Sequence, residues 1–170
     1  MKCFGSVLRI LVTSGLVALF AQDPRAMAFG TESVIYSFSG GNDGADPVGS
    51  LYRNAQGNLF GTTYSGGQYG DGVVFKLDTA GVETILHAFG GQPSDGANPR
   101  AGIIIVNDKF YGTTAWGGRS NCAAGCGTIF SIDPATGREK LLHSFKRFKA
   151  ELPGGVINVM GTLYGTTASG

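Results

Sequence analysis

The stretch Asn58-Leu59-Phe60-Gly61-Thr62-Thr63 decides the fold, because its Gly-Thr-Thr core recurs twice more along the chain. The two further copies lie at residues 112–114 and 165–167, at spacings of 51 and 53, and an apolar or aromatic pair precedes each. Three other blocks recur around it in a fixed order, and in their first copies they are Val34–Phe38, Asp43–Pro47 and Val74–Asp78. Four blocks that recur in one order indicate a tandem repeat with a period of roughly fifty residues.

Each repeat contains four segments typical of short β-strands. In the first repeat they are Val34–Phe38, Ser50–Arg53, Asn58–Thr63 and Val73–Asp78. The chain has 29 glycines, and tight turns between the segments favour antiparallel pairing of neighbours. One such sheet cannot cover its own apolar face, whereas stacked copies can. We therefore predict an all-β fold of β-propeller-type repeats, each with about four antiparallel strands.

The N-terminus has the features of a secretory signal peptide. Lys2 and Arg9 are basic, Ile10–Phe20 is largely apolar, and Ala26-Met27-Ala28 has small residues where a signal peptidase cleaves. The apolar run is shorter than the ~20 residues of a membrane-spanning helix. We therefore predict a signal peptide over residues 1–28, and a mature repeat domain over 29–170 that is periplasmic, on the cell surface or extracellular and has no transmembrane helix.

The repeat boundaries leave the last unit incomplete. Repeat one spans about residues 32–82, repeat two about 83–138 and a partial repeat three 139–170, about 2.75 units in all. A closed propeller needs at least ~4 blades. Only Phe29–Thr31 would precede the first unit, so no spare fourth strand is expected there. Either the chain is truncated, or copies associate as a homo-oligomer that completes the blades.

The charge of the mature chain limits its partners. Cleavage after Ala28 leaves ten basic and eleven acidic residues, and only 15% of the whole chain is charged. This balance gives no reason to expect general nucleic-acid binding or attraction to an anionic membrane.

Two cysteines remain in the mature chain, Cys122 and Cys126. In an oxidising compartment a pair this close in sequence favours a small loop disulfide. A metal site would need further Cys or His ligands nearby, and a redox Cys-x-x-Cys centre has two intervening residues where this pair has three.

The repeats resemble a known family. With Asp95-Gly96-Ala97-Asn98-Pro99, Leu59–Thr63, Gly72–Leu77 and Leu141–Phe145, the chain is similar over about residues 32–170 to the GloVer tandem-repeat family of exported bacterial proteins. The resemblance implies a secreted or surface location and a propeller-like fold, and it carries no reaction, catalytic residues or cofactor. The Cys122–Cys126 loop also resembles a variant within such repeats, which supports a structural disulfide.

We find no catalytic constellation. His87 and His143 occupy one repeat position, which Tyr36 fills in the first unit, and a residue that recurs in this way is more economically a packing residue than a catalytic one. The same argument applies to three aligned glutamates, which are expected to begin equivalent strands too far apart to act as an acid–base pair: Glu32, Glu83 and Glu139.

Four oxygen-bearing side chains are weak candidates for calcium binding: Asp43, Asp46, Asp95 and Asn98. The alternative is that they cap the Asp-Gly turns in which they lie, and no EF-hand spacing is present.

Trp116 is the single tryptophan and it breaks the repeat, which makes it a candidate for ligand contact, for example by stacking on a sugar. Half-buried packing is the alternative. The sequence as a whole predicts a binding or surface-interaction module whose partner is unidentified, with a glycan or a surface protein as candidates. The alternatives are a fragment of a carbohydrate-active propeller enzyme, and a structural surface spacer or a non-functional gene fragment.

Overall fold

The computed structural model describes residues 7–11, 32–90, 94–119, 126–146 and 151–169, and in these residues it contains strands and loops but no helix. The described residues thus include no helix that could cross a membrane. The strands and loops of the described residues confirm the prediction of an all-β fold. The strands in chain order are β1 Val7–Leu11, β2 Glu32–Ser37, β3 Tyr52–Arg53, β4 Leu59–Thr63, β5 Val73–Leu77, β6 Glu83–Ala88, β7 Gly96–Ala97, β8 Ile104–Val106, β9 Lys109–Thr114, β10 Trp116–Gly117, β11 Thr128–Ile132, β12 Glu139–Ser144, β13 Glu151–Val159 and β14 Thr162–Ser169.

Two four-stranded antiparallel sheets form the centre of the molecule. The first has the order β3-β4-β5-β6 and the second β8-β9-β11-β12. Each sheet takes its fourth strand, β6 or β12, from the beginning of the next repeat. The sheets are therefore offset by one strand from the repeats bounded at Glu32, Glu83 and Glu139. Because of this offset, hydrogen bonds join each repeat to its successor.

The two sheets pack against each other through aromatic side chains. Phe60 lies 4.9 Å from Phe110 between ring centroids, and Phe89 lies 5.0 Å from Phe130. The core between the sheets consists of seven buried residues: Phe60, Val74, Phe89, Ile103, Phe110, Phe130 and Ile132. A smaller core lies between β2 and the first sheet and consists of Phe38, Val73, Phe75 and Leu77.

The glycine of the Gly-Thr-Thr motif makes room for an aromatic ring. Gly61 is paired with Phe75 across the β4–β5 ladder, and Gly112 is paired with Phe130 across β9–β11. A Cβ atom on Gly112 would lie 2.6 Å from Cζ of Phe130, and one on Gly61 would lie 2.7 Å from Cζ of Phe75. The recurring glycine thus lets a fully buried phenylalanine lie flat on the neighbouring strand.

The two threonines of the motif have different partners. The first donates a hydrogen bond to the next sheet along the chain, from Thr62 Oγ1 to the carbonyl of Ala101 at 2.9 Å and from Thr113 Oγ1 to Gly154 at 2.6 Å. The second braces the loop that follows its own strand, as Thr63 Oγ1 does by donating to the carbonyl of Ser65 at 3.0 Å. The motif therefore connects successive sheets as well as filling a strand.

The two ends of the molecule are two-stranded. β13 pairs with β14, and β1 pairs with β2 in the manner in which β5 pairs with β6. The register shift between Leu8 and Arg9 in β1 corresponds to the shift between Val74 and Phe75 in β5. Two complete sheets with a two-stranded sheet at each end are consistent with an incomplete propeller-like repeat.

The position of β1 differs from the expectation that no strand precedes the first repeat. Val7–Leu11 shares with Val73–Leu77 a valine followed four residues later by a leucine, and it pairs with β2 as Val73–Leu77 pairs with β6. The assignment of residues 1–28 as a signal peptide stays a prediction.

Candidate functional site

The aspartates of the Asp-Gly loops hold their own loops together. Asp43 accepts hydrogen bonds from the backbone N and the Oγ of Ser39, both at 2.6 Å. Asp95 occupies the same position in the next repeat and accepts from the backbone N of Gly90 at 3.1 Å and of Gly96 at 2.7 Å. Burial acts to raise the pKa of Asp43, but the hydrogen bonds from Ser39 and Tyr36 outweigh it, so this pKa lies below its ordinary value.

The remaining two calcium candidates also bond to protein groups. Asp46 accepts a hydrogen bond from Ser65 Oγ at 2.6 Å, and the Asn98 amide nitrogen donates to the carbonyl of Tyr64 at 2.9 Å. Both residues have positive φ, 57° for Asp46 and 56° for Asn98, as expected of residues at a tight turn. Among the described residues, no three His, Cys, Asp or Glu side chains are grouped so as to hold a metal ion.

The recurring aromatic position is occupied by rings that pack on a phenylalanine two residues later. Tyr36 lies edge-on to Phe38 at 5.0 Å, and His87 lies edge-on to Phe89 at 4.8 Å. His143 has the same relation to Phe145 at 4.9 Å. His87 Nε2 also lies 3.2 Å from Asp95 Oδ2, so the ring connects its strand to the aspartate loop.

The aligned glutamates lie close to the polar groups of the preceding repeat. Tyr36 donates a hydrogen bond to Glu83 Oε2 at 3.0 Å, although 47 residues separate them. Burial raises the pKa of Glu83 to about 7, with a further contribution from Asp43, while the bond from Tyr36 opposes the rise. Burial likewise raises the pKa of Glu139 to about 7, helped by Asp95 and opposed by His87. The glutamates do begin equivalent strands, as predicted, but their proximity to an aspartate one repeat earlier could not be predicted from the sequence.

These two carboxyl groups predict a pH-dependent stability. Their pKa is about 4.5 in the unfolded chain and about 7 in the fold, so their contribution is fully present below about pH 4.5 and is lost as the pH rises to about 7. After allowance for their partial exposure, we expect the free energy of unfolding to fall by about 1–2 kcal/mol between pH 5 and pH 7.5. Urea titrations of the wild type and of the Glu83→Gln/Glu139→Gln variant measure this difference. A variant that keeps the wild-type slope would show that other groups cause it.

Three side chains that break the repeat lie together where the two sheets meet, and we call them the Tyr–Arg–Trp cluster: Tyr64, Arg100 and Trp116. The Arg100 guanidinium carbon lies 5.3 Å from the centroid of the Tyr64 ring. Hydrogen bonding of the Tyr64 hydroxyl with Arg100 and with Trp116 lowers the pKa of Tyr64. The two aromatic side chains are half-buried and Arg100 is exposed. The cluster therefore presents two partly accessible rings and one cation.

The backbone around the cluster is held by several hydrogen bonds. Trp116 is paired with Ala97 between β10 and β7, and its carbonyl accepts from Thr114 Oγ1 at 2.8 Å. Asn98 connects the two sheets, because its side chain donates to Tyr64 and its carbonyl accepts from the backbone N of Ala115 at 3.0 Å. The side chains of the cluster thus project from a framework that the repeat itself fixes.

Of the three residues in this cluster, only Trp116 is predicted as a site residue from the sequence. Trp116 was a candidate because it interrupts the repeat, where the first unit has Ser65. Tyr64 and Arg100 interrupt it too, since Ala115 and Val48 fill their equivalent positions. A comparison of every aligned position would have found all three, but only the structure shows that they meet.

The remaining predicted site is the cysteine pair. Cys126 is buried, with 2% of its surface exposed, in the loop before β11. Cys122 lies outside the described residues, so the disulfide stays a prediction.

A shallow depression of about 410 Å³ lies between the two four-stranded sheets. Its lining includes Tyr52, Phe60, Ile105 and Phe110, which are the outer residues of the core between the sheets. The pocket therefore reflects the packing of the blades and places no pair of reactive groups side by side.

Comparison with known proteins identifies the family and nothing narrower. No curated protein and no solved structure matches the chain significantly. The sequence model of the Gloeobacter/Verrucomicrobia repeat matches residues 11–170, which is nearly the whole chain. This protein therefore belongs to the Gloeobacter/Verrucomicrobia repeat family.

Proposed function

We propose that this protein is an exported, non-enzymatic repeat protein that acts as a binding module, with the Tyr–Arg–Trp cluster as its contact surface. The single observation that supports this is the convergence of three repeat-breaking side chains at one junction between sheets. Recurring residues are accounted for by packing, because Gly61, Thr62 and Phe75 and their equivalents have the same contacts in both sheets. The residues of the cluster have no such repeated role.

The chemistry of the cluster suits binding better than catalysis. Half-exposed tyrosine and tryptophan rings provide a rigid apolar surface with polar edges, and such residues dominate the energetics of contact surfaces. Catalysis would require a nucleophile or a proton-transfer group positioned beside a substrate. The described members of the cluster are two aromatic rings and a guanidinium, which binds and orients but does not exchange protons near neutral pH.

A binding screen tests the proposal. The full chain and its Trp116→Ala variant are applied to an array of plant, bacterial and animal glycans and to immobilised surface proteins. We expect one class of ligand to be retained by the wild type and lost by the variant, because removal of the indole deletes the larger aromatic surface of the cluster. Tyr69→Ala is a matched control, since Tyr69 is an exposed aromatic residue outside the cluster.

Three other outcomes would contradict the proposal. Ligand retention that is equal in wild type and Trp116→Ala would place the contact elsewhere, and the absence of any ligand would favour a structural spacer. Hydrolysis of an arrayed polysaccharide would favour the carbohydrate-active enzyme instead.

The export part of the proposal is supported by the N-terminal sequence and by the cysteine pair. Intact-mass measurement of the protein recovered from outside the cytoplasm tests both: the chain is expected to begin at Phe29 and to carry no free thiol at Cys122 or Cys126. A mass that retains residues 1–28 would count against cleavage after Ala28.

A further inference from the structure

We propose that the Tyr–Arg–Trp cluster binds a carboxylated sugar of the hexuronate type, with the sugar ring on Trp116 and its carboxylate on Arg100. This inference rests on the proposed function, because it names the ligand class of the same surface. It is carried by the geometry of the three side chains, by the position of the charge among them and by the fixed backbone beneath them.

Arg100 places an exposed positive charge beside an aromatic ring. Arg100 lies over the Tyr64 ring, with 5.3 Å between its guanidinium carbon and the ring centroid, and it remains exposed. A guanidinium that stacks on an aromatic ring is held in place on one face, and its N–H groups that do not bond to the Tyr64 hydroxyl stay available in its own plane. Among the residues that the structure describes, no carboxylate forms an ion pair with Arg100. A ligand carboxylate can therefore take the bidentate position that this side chain offers.

The cluster carries a single positive charge. The mature chain has a slight excess of acidic residues, and the cluster contributes one arginine. Nucleic acids are bound through several cations that neutralise successive phosphates, and anionic membranes attract clusters of basic residues. One cation between two aromatic rings instead fits a ligand that carries one negative charge on each contacting unit.

The two aromatic rings determine the shape of the cluster's surface. Tyr64 and Trp116 present two partly buried aromatic rings, one from the loop after β4 and one from β10. Such rings bind flat ligand faces, and their polar edges bond to neighbouring hydroxyl groups. A pyranose ring has an apolar face of C–H groups and a rim of hydroxyls, and a hexuronate adds one carboxylate at its edge. The three features of the cluster correspond to these three features of the sugar.

The backbone beneath the cluster preorganises its side chains for binding. Asn98 makes three connections at the base of the cluster: its backbone N donates to the carbonyl of Asp71 at 2.8 Å, its side chain donates to Tyr64, and its carbonyl accepts from Ala115. Arg100 follows the buried Pro99, which has a fixed φ. The positions of the ring and the cation are thus set before a ligand arrives, so little ordering cost is added on binding.

The test uses tri-galacturonate and its fully methyl-esterified form, in which each carboxylate is replaced by an uncharged methyl ester, with the full chain and calorimetric or NMR titration. We expect the acid to bind at least about tenfold more tightly than the ester, which is the scale of one charge-assisted bidentate contact. Arg100→Gln should remove that preference, so that the acid and the ester bind to this variant with the same affinity. Arg53→Gln, which neutralises an exposed arginine outside the cluster, should leave both affinities at the wild-type value.

The outcomes separate this inference from the proposed function. Equal binding of acid and ester, or a preference that survives Arg100→Gln, overturns the hexuronate assignment while Trp116→Ala still reports on the binding module. Failure of both probes, with a neutral ligand found in the screen, overturns the hexuronate assignment and leaves the module standing. Binding of either probe that is unaffected by both Arg100→Gln and Trp116→Ala overturns the placement of the site.

Discussion

Replacement of Phe130 by alanine is expected to lower the free energy of unfolding by about 3–5 kcal/mol, the range found for large aromatic residues in protein cores. Phe130 is completely buried and belongs to the core that both four-stranded sheets share. Its ring packs edge-on to Phe89 and lies over Gly112 of the neighbouring strand. Truncation would therefore leave a cavity at the contact that holds the sheets together. Urea denaturation followed by circular dichroism measures the change.

Two further variants make this prediction specific. Leu142→Ala removes an aliphatic side chain that is 41% exposed on the next strand, and should cost less than about 1 kcal/mol. Gly112→Ala adds a methyl group against the Phe130 ring, and its cost should shrink when Phe130 is also replaced, because the two positions are in contact. Similar costs for Phe130→Ala and Leu142→Ala, or strict additivity of the Gly112 and Phe130 changes, would show that the ring does not pack as described.

Most of the strands could be predicted from the sequence because their blocks occur two or three times along the chain. The recurrence of Gly-Thr-Thr and of Val74–Asp78 locates β4 and β5 to within one residue of their observed bounds. The two roles of the threonines could not be predicted in the same way. Thr62 bonds to a carbonyl 39 residues away, and a repeat pattern shows that a residue recurs without showing which neighbour it reaches.

The composition of each sheet also lies beyond the repeat pattern. A periodic sequence can be divided into units at any position, and Glu83 begins a unit in sequence although its strand completes the previous sheet. Because of this offset, Glu83 accepts a hydrogen bond from Tyr36 of the repeat before it. For the same reason Asp95 of the preceding repeat contributes to the raised pKa of Glu139. The pKa shifts of the glutamates are consequences of sheet order, which periodicity alone leaves open.

The candidate site could likewise be predicted from the sequence only in part. Trp116 could be identified because it is the single tryptophan of the chain. Tyr64 and Arg100 are common residue types, and they lie in two different loops, between β4 and β5 and between β7 and β8. Their proximity depends on the packing of one sheet on the next and on the bonds that Asn98 makes across that junction.

Removal of residues 1–28 is expected to convert the protein into a species that associates as its concentration rises. In the full chain β1 covers the edge of β2 through a ladder of five residue pairs. A chain that begins at Phe29 has lost this partner, and the six residues of β2, which pairs with no other described strand, then present unpaired N–H and C=O groups. Exposed edges of this kind pair with other chains. Light scattering coupled to size-exclusion chromatography, over a wide range of protein concentrations, measures the change in mass.

A single substitution at the edge distinguishes strand pairing from nonspecific aggregation. Val34 is 52% exposed in β2, and Val34→Lys places a charge on the edge strand without disturbing a buried contact. We expect this variant of the shortened chain to stay monomeric under conditions in which the unmodified shortened chain associates. Association that persists in Val34→Lys would instead implicate the exposed apolar residues of β13 and the turn after it, Ile157, Val159 and Met160. If the shortened and full chains have the same mass at every concentration, then β1 does not protect the edge of β2, and the end of the repeat array is closed by the packing of β2 on the first sheet alone.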